Sequence, residues 1–189
     1  TGLTPLAPPV QESYFILFVP MARWRHAAMP QLCDVCAESK DTVEDPLLHC
    51  QGCALRVHSL CYGFLDKPPS MWLCNSCDKS SKPPACVFCL KKGGALKRCE
   101  NSSSWAHILC ASWLPPAGFG CLSELEPITG ISEALDAHSS HTCSLCSVRE
   151  GACRKCPAES CRAAFHPLCA RDAKLHFDVN SGIYCRAHA

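Results

Sequence analysis

A chain of 189 residues with a formal charge of +1 gives no support to strong, non-specific DNA binding. It has no stretch near the ~20 apolar residues that cross a bilayer. Its 19 cysteines, about a tenth of the residues and far above ordinary usage, leave two architectures, a secreted disulfide scaffold or intracellular metal-stapled modules.

Residues 1–32 hold no paired cysteine. TGLTPLAPPV lacks a cationic n-region, and the run most like an h-region, YFILFV (14–19), stops at Pro20, so no secretory leader is expected. "SYFILFVPMARWRHAA" reads as a short strand and a helical turn packed on the next unit. An arm packed on nothing fits equally, and His26 with Arg23 and Arg25 reads as surface.

From residue 33 onward the cysteines come in pairs. The first group is Cys33-x2-Cys36, Cys50-x2-Cys53, His58-x2-Cys61 and Cys74-x2-Cys77. Histidine at fixed spacing from cysteine is needless in a disulfide framework and expected at zinc, and eight ligands fill two tetrahedral sites. A cross-brace would put Cys33, Cys36, His58 and Cys61 on one ion and Cys50, Cys53, Cys74 and Cys77 on the other. A sequential pairing satisfies the same count. His49 is read as a solvent-facing strand residue, not a ligand.

The linker DKSSKPPA (78–85) is short and stiffened by two prolines, so the units on either side are expected to pack together. Cys86-x2-Cys89 and His107-x2-Cys110 then make one four-ligand site. Residues 111–142 carry no pair: "PPAG" (115–118) marks a turn, and "ISEALDAH" (131–138) has helical spacing. The last group is Cys143-x2-Cys146, Cys156-x4-Cys161-x4-His166-x2-Cys169 and Cys185-x2-His188. Its interleaved division puts Cys143, Cys146, His166 and Cys169 on one ion and Cys156, Cys161, Cys185 and His188 on another. Five zinc ions with twenty ligands are expected. Cys99, Cys121 and Cys153 are left over; Cys99 and Cys121 read as buried small hydrophobes, and Cys153, in the GAC-x2-C string, as a packed strand position.

Residues 33–77, with the histidine as fifth ligand and Trp72 two positions before Cys74 in "MWLC", resemble a PHD finger; RING fingers usually place the histidine fourth. The whole order, with "GGALKRCENSSSWAHILCA" (93–111), "LEPI" (125–128) and "GACRKCPAESCRAAFHPLCA" (151–170), resembles the PHD–knuckle–extended-PHD cassette of chromatin proteins. That cassette occurs in Jumonji-type histone lysine demethylases and in scaffold subunits of histone acetyltransferase complexes. The resemblance implies a small zinc-stabilised α+β fold: two cross-brace fingers joined by a zinc knuckle and packed as one compact module. Its parts are an arm (1–32), a PHD finger (33–77), a knuckle (86–110), a metal-free connecting segment (111–142) that wraps back across the modules, and an extended finger (143–189).

It also implies a nuclear chromatin reader rather than an enzyme, because four protein ligands leave each zinc no open position for water. A PHD finger takes the tail of histone H3 as an added strand, here along Leu47, Leu48 and His49. Glu44 and Asp45 would face an unmodified lysine or arginine, Pro68, Pro69 and Ser70 the free amine, and Trp72 would floor the pocket. Arg56 stands where aromatic-cage fingers carry an aromatic, so a caged trimethyl-lysine is not expected. The rival reading is DNA contact through Lys91, Lys92, Lys97, Arg98, Arg154, Lys155 and Arg162, or a protein–protein platform.

Charge is unevenly spread. Residues 33–77 hold three Lys/Arg against six Asp/Glu, residues 78–110 six against two, and residues 143–189 seven against four. With metals and thiolates counted, the holoprotein falls to about −5. An acidic first finger beside a basic middle suggests two different partners.

Overall fold

A computed structural model describes residues 31–65 and 71–189. The expectations for residues 1–30, and those for Pro68, Pro69 and Ser70, lie outside the described residues.

The elements are too short to bury a core singly. In the first finger, β1 (Leu47–His49) pairs antiparallel with β2 (Arg56–His58), with Leu48 opposite Val57. A 3-10 turn (Leu60–Tyr62) and α1 (Asn75–Lys79) follow. The knuckle is the hairpin β3 (Leu96–Arg98) and β4 (Trp105–His107), running straight into α2 (Ile108–Trp113).

The metal-free segment supplies a further hairpin, β5 (Gly118–Cys121) with β6 (Glu126–Thr129), and α3 (Ile131–His138). The turn and the helix fall where composition placed them; the hairpin was not foreseen. The extended finger contains β7 (Arg154–Lys155) paired with β8 (Ala164–Phe165), α4 (Pro167–Asp172), and β9 (His176–Asp178) paired with β10 (Gly182–Tyr184). All five sheets among the described residues are two-stranded, a form only marginally stable alone.

Stability is therefore gathered between the units. Phe88, Leu96, Trp105 and Leu109 of the knuckle pack with Leu114, Ile128, Ile131 and Ala134 of the connecting segment and Leu168 of the extended finger. Each fully buried side chain of this kind contributes roughly 1.5–3 kcal/mol. A smaller cluster of Leu55, Val57, Tyr62 and Trp72 sits in the first finger and takes in Ile108 from α2. Sequence reading assigned the cohesion to metal cages and found no segment able to build a core. That holds segment by segment, but together the segments assemble one.

Polar rivets join the same units. Tyr62 Oη donates to the Leu96 carbonyl at 3.2 Å. Lys97, 5% exposed, sets its ammonium 4.3 Å over the Tyr62 ring, 2.9 Å from the Glu124 carbonyl and 3.7 Å from Glu126. Glu126 also pairs with Lys79 at 3.5 Å and accepts from Asn75 Nδ2. On the other side the Ala152 N–H donates to the Phe88 carbonyl at 2.7 Å. Gly151, at φ +88°, leaves no room for a Cβ against that carbonyl, so the joint between knuckle and extended finger requires glycine.

Candidate metal centres and binding surfaces

Side-chain geometry sorts the paired residues into five quartets. Cys33, Cys36, His58 and Cys61 form one; Cys50, Cys53, Cys74 and Cys77 the next; Cys86, Cys89, His107 and Cys110 the third. Cys143, Cys146, His166 and Cys169, then Cys156, Cys161, Cys185 and His188, complete the set, with all donor atoms of a quartet within 4.8 Å of one another. The first two quartets, and the last two, interleave; the sequential pairing is not the one formed.

Zinc suits these donors. A tetrahedron with Zn–S near 2.3 Å needs sulfurs about 3.8 Å apart, and Cys53 Sγ lies 3.8 Å from Cys74 Sγ while Cys161 Sγ lies 4.0 Å from Cys185 Sγ. Each histidine turns Nδ1 inward: to Cys36 Sγ at 3.3 Å for His58, Cys89 Sγ at 3.2 Å for His107, Cys146 Sγ at 3.4 Å for His166 and Cys185 Sγ at 3.1 Å for His188. His58, His107 and His166 set Nε2 on the carbonyls of Lys40 (2.6 Å), Gly93 (2.7 Å) and Glu150 (3.0 Å). A carbonyl only accepts, so the proton sits on Nε2 and the Nδ1 lone pair is free for metal.

Backbone N–H groups complete the cradles. Val35 and His58 donate to Cys33 Sγ at 3.4 Å, Cys74 to Cys50 Sγ at 3.2 Å, and His107 to Cys86 Sγ at 3.3 Å. Such bonds favour thiolate over thiol. In the first cage the hydrogen bond with Cys61 pulls Cys33 down to about 4 against the opposing effect of burial, and the same bond pushes Cys61 far up. One bound zinc makes every sulfur in the cage a thiolate at once.

The leftover cysteines divide. Cys99 and Cys153 are buried, and burial pushes their thiols up to about 11 and about 12, which leaves them protonated and inert. Cys121 corrects the expectation of burial. It is only half-buried, on the β5–β6 hairpin, with Sγ 3.0 Å from Ser123 Oγ.

Along β1, Pro46 accepts from Ser59 N and Cys50 N donates to Leu55, each at 3.0 Å. With a period of two, Pro46, Leu48 and Cys50 therefore face β2, while Leu47 and His49 direct their backbone groups outward. His49 is exposed and is not part of any quartet. Asp41, which sequence reading passed over, accepts the Leu47 N–H at 2.9 Å. Asp45 is corrected: its Oδ1 accepts from Ser59 Oγ and Leu60 N, both at 2.9 Å, so this oxygen caps the 3-10 turn. Glu44 is exposed. Trp72, 6% exposed, packs edge-on to Tyr62 at 5.0 Å and Phe64 at 5.8 Å.

Two of the basic residues assigned to DNA are also corrected. Lys97 is buried in the Tyr62–Glu126 rivet, and burial lowers its pKa. Arg98 is half-buried over the Trp105 ring at 4.9 Å and donates to the carbonyls of Ser102 (2.6 Å) and Lys79 (3.2 Å). Lys91 pairs with Asp172 at 2.9 Å. Lys92, Lys155 and Arg162 are exposed and Arg154 half-buried.

Comparison with known proteins places this arrangement. Residues 84–188 match the PHD-zinc-finger like domain and residues 44–78 the PHD-finger. PHD finger protein rhinoceros of Drosophila melanogaster is 39% identical over 169 residues, covering 84% of this chain and 5% of that protein. Protein Jade-1 of Bos taurus is 35% identical over 166 residues (84% and 32%). The protein named E3 ubiquitin-protein ligase Jade-2 of Homo sapiens is 36% identical over 166 residues (84% and 21%). The chain thus spans at most about a third of these relatives. The crystal structure of the zebrafish PHF14-PZP superposes with a TM-score of 0.71 at 29% identity, covering 84% of this chain and 88% of that one. With over half of its residues matched by one family model, and five donor quartets in place, the chain belongs to the PHD-zinc-finger-like family.

Proposed function

We propose that the first finger reads the unmodified N-terminal tail of histone H3 as an added strand on the outward edge of β1, within a nuclear chromatin-regulating protein. The observation that carries this reading is the parity of β1. Leu47 and His49 aim backbone groups away from β2, and His49 takes no backbone partner among the described residues. Main-chain pairing along such an edge supplies affinity, and neighbouring side chains supply selectivity.

The surroundings suit a cationic tail. Glu38, Asp41 and Glu44 are exposed carboxylates in the segment that leads into β1. Asp41 holds the start of the edge by its bond to Leu47. In this reading the Leu47 carbonyl and the backbone of His49 pair with the tail while Leu48 holds the edge on β2, Glu44 attracts its lysine or arginine, Pro68, Pro69 and Ser70 hold the free amine, and Trp72 supports the floor.

Calorimetric titration with an H3 peptide bearing a free N-terminus, beside its N-acetylated twin, tests the reading. The free peptide is expected to bind and the acetylated one to lose at least about tenfold. Equal binding of both would remove the amine pocket.

DNA contact is the second reading, now resting on Lys92, Arg154, Lys155 and Arg162. A steep fall in affinity with salt is its signature. The human relative Jade-2 is named an E3 ubiquitin-protein ligase, and this chain covers 21% of it. The histidine stands fifth among the ligands of the first finger, where RING fingers usually place it fourth, and a ubiquitin-discharge assay that stays at background is the expected result.

A further inference from the structure

Away from the β1 edge, three hollows join into one trough. The first, about 440 Å³, opens between Val35, Trp113, Leu175 and Phe177, where the first finger, α2 and the extended finger meet. A second of about 300 Å³ shares Ser112 and Trp113 with it and reaches Arg154 and Ser181. A third of about 290 Å³ shares Arg154 and Ser181 and ends at His138, His141 and Lys155.

Charge and polarity along this trough are one-sided. No aspartate or glutamate lines any of the three hollows, whereas Arg154, Lys155, Arg171 and Lys174 do. Arg171 is partly spent: Asp172 holds it at 2.8 Å and it donates to the Asp34 carbonyl. Free positive charge therefore comes from Lys174 at one end and Arg154 with Lys155 at the other, against about −1 on each neighbouring three-cysteine cage. Between the ends lies an apolar floor. Trp113 is half-buried and braced edge-on by Phe177 at 4.9 Å, and Val179 beside it is 87% exposed.

We propose that this trough binds an acidic peptide segment of a partner protein, with a bulky apolar side chain seated over Trp113 and carboxylates on Lys174 and on Arg154–Lys155. A recessed aromatic floor flanked by cations matches alternating acidic and apolar groups. A DNA duplex, convex and uniformly charged, would meet the cations and leave the floor empty. The volume of the first hollow lies within the ~300–1,000 Å³ of ligand sites. This surface is separate from the β1 edge, so it stands or falls independently of histone reading.

The test uses the zinc-loaded full chain and a fluorescein-labelled dodecapeptide of aspartate and glutamate around one tryptophan. Replacing that tryptophan by alanine is expected to weaken binding at least about tenfold. Lys174→Glu and Val179→Glu, both at exposed positions, are expected to weaken it at least about fivefold with zinc content and H3-peptide affinity unchanged. Arg154→Glu should do the same. Absence of binding, or equal affinity for the alanine peptide, overturns the proposal. Variants that lose a 15-base-pair duplex while keeping the peptide would assign the trough to nucleic acid and also overturn it.

Discussion

The knuckle cage and the last cage use the same ligand types in opposite surroundings. All four knuckle ligands, Cys86, Cys89, His107 and Cys110, are buried, and its three cysteines belong to the main apolar cluster. In the last cage only Cys156 is buried, Cys161 and Cys185 are half-buried, and His188 is exposed. Its histidine follows the last strand, β10. One metal organises the interior; the other fastens an edge. Equal coordination thus carries unequal structural weight.

The largest expected effect separates these two. His107→Ala should abolish cooperative folding, since a structural zinc contributes on the order of 10 kcal/mol and this one holds the centre. His188→Ala should cost one zinc by mass spectrometry and leave H3-peptide binding in place. Equal damage from both would break the comparison. Acid should sharpen it: protons compete with zinc for thiolates, so metal leaves as pH falls. A native mass-spectrometric pH series is expected to show the exposed last cage emptying first.

Ile128→Ala removes the most deeply buried side chain of the β5–β6 hairpin (0% exposed) and should cost about 2–5 kcal/mol in urea denaturation. Lys97→Met leaves Glu126 with a single cation partner. It should cost roughly 1–3 kcal/mol with DNA affinity unchanged, whereas Lys92→Glu and Lys155→Glu should alter salt-dependent DNA binding and leave stability alone. The smallest effect is Glu44→Lys, expected to lower H3-peptide affinity about three- to tenfold with no change in melting temperature. Charge reversal at Asp45 would not serve, because its carboxylate caps a turn.

Much of the metal framework was legible in the residues because ligand spacing is a local property. C-x2-C and H-x2-C each set two donors on one tight turn, so the donors could be enumerated from the chain. Which turns share an ion is a property of the folded path, and counting left it open. Lys97 misled because a lysine in "ALKRC" reads as surface. Only the distant Tyr62, Glu124 and Glu126 make its burial tolerable, and no spacing rule announces them. Asp41 and Asp45 look alike in "DTVED", yet one caps the strand and the other the turn. The β5–β6 hairpin was missed for a related reason: GFGC and EPIT are too short and too mixed to read as strands until β3 and the first finger are beside them.

The Nε2–carbonyl bonds of His58, His107 and His166 also make the molecule its own reporter. An imidazole proton held by a main-chain oxygen exchanges slowly with solvent, so each of these rings should yield a visible ¹H–¹⁵N cross-peak. Those peaks would read out the loops at Lys40, Gly93 and Glu150 one by one, in a single spectrum of ¹⁵N-enriched protein and without any bound peptide.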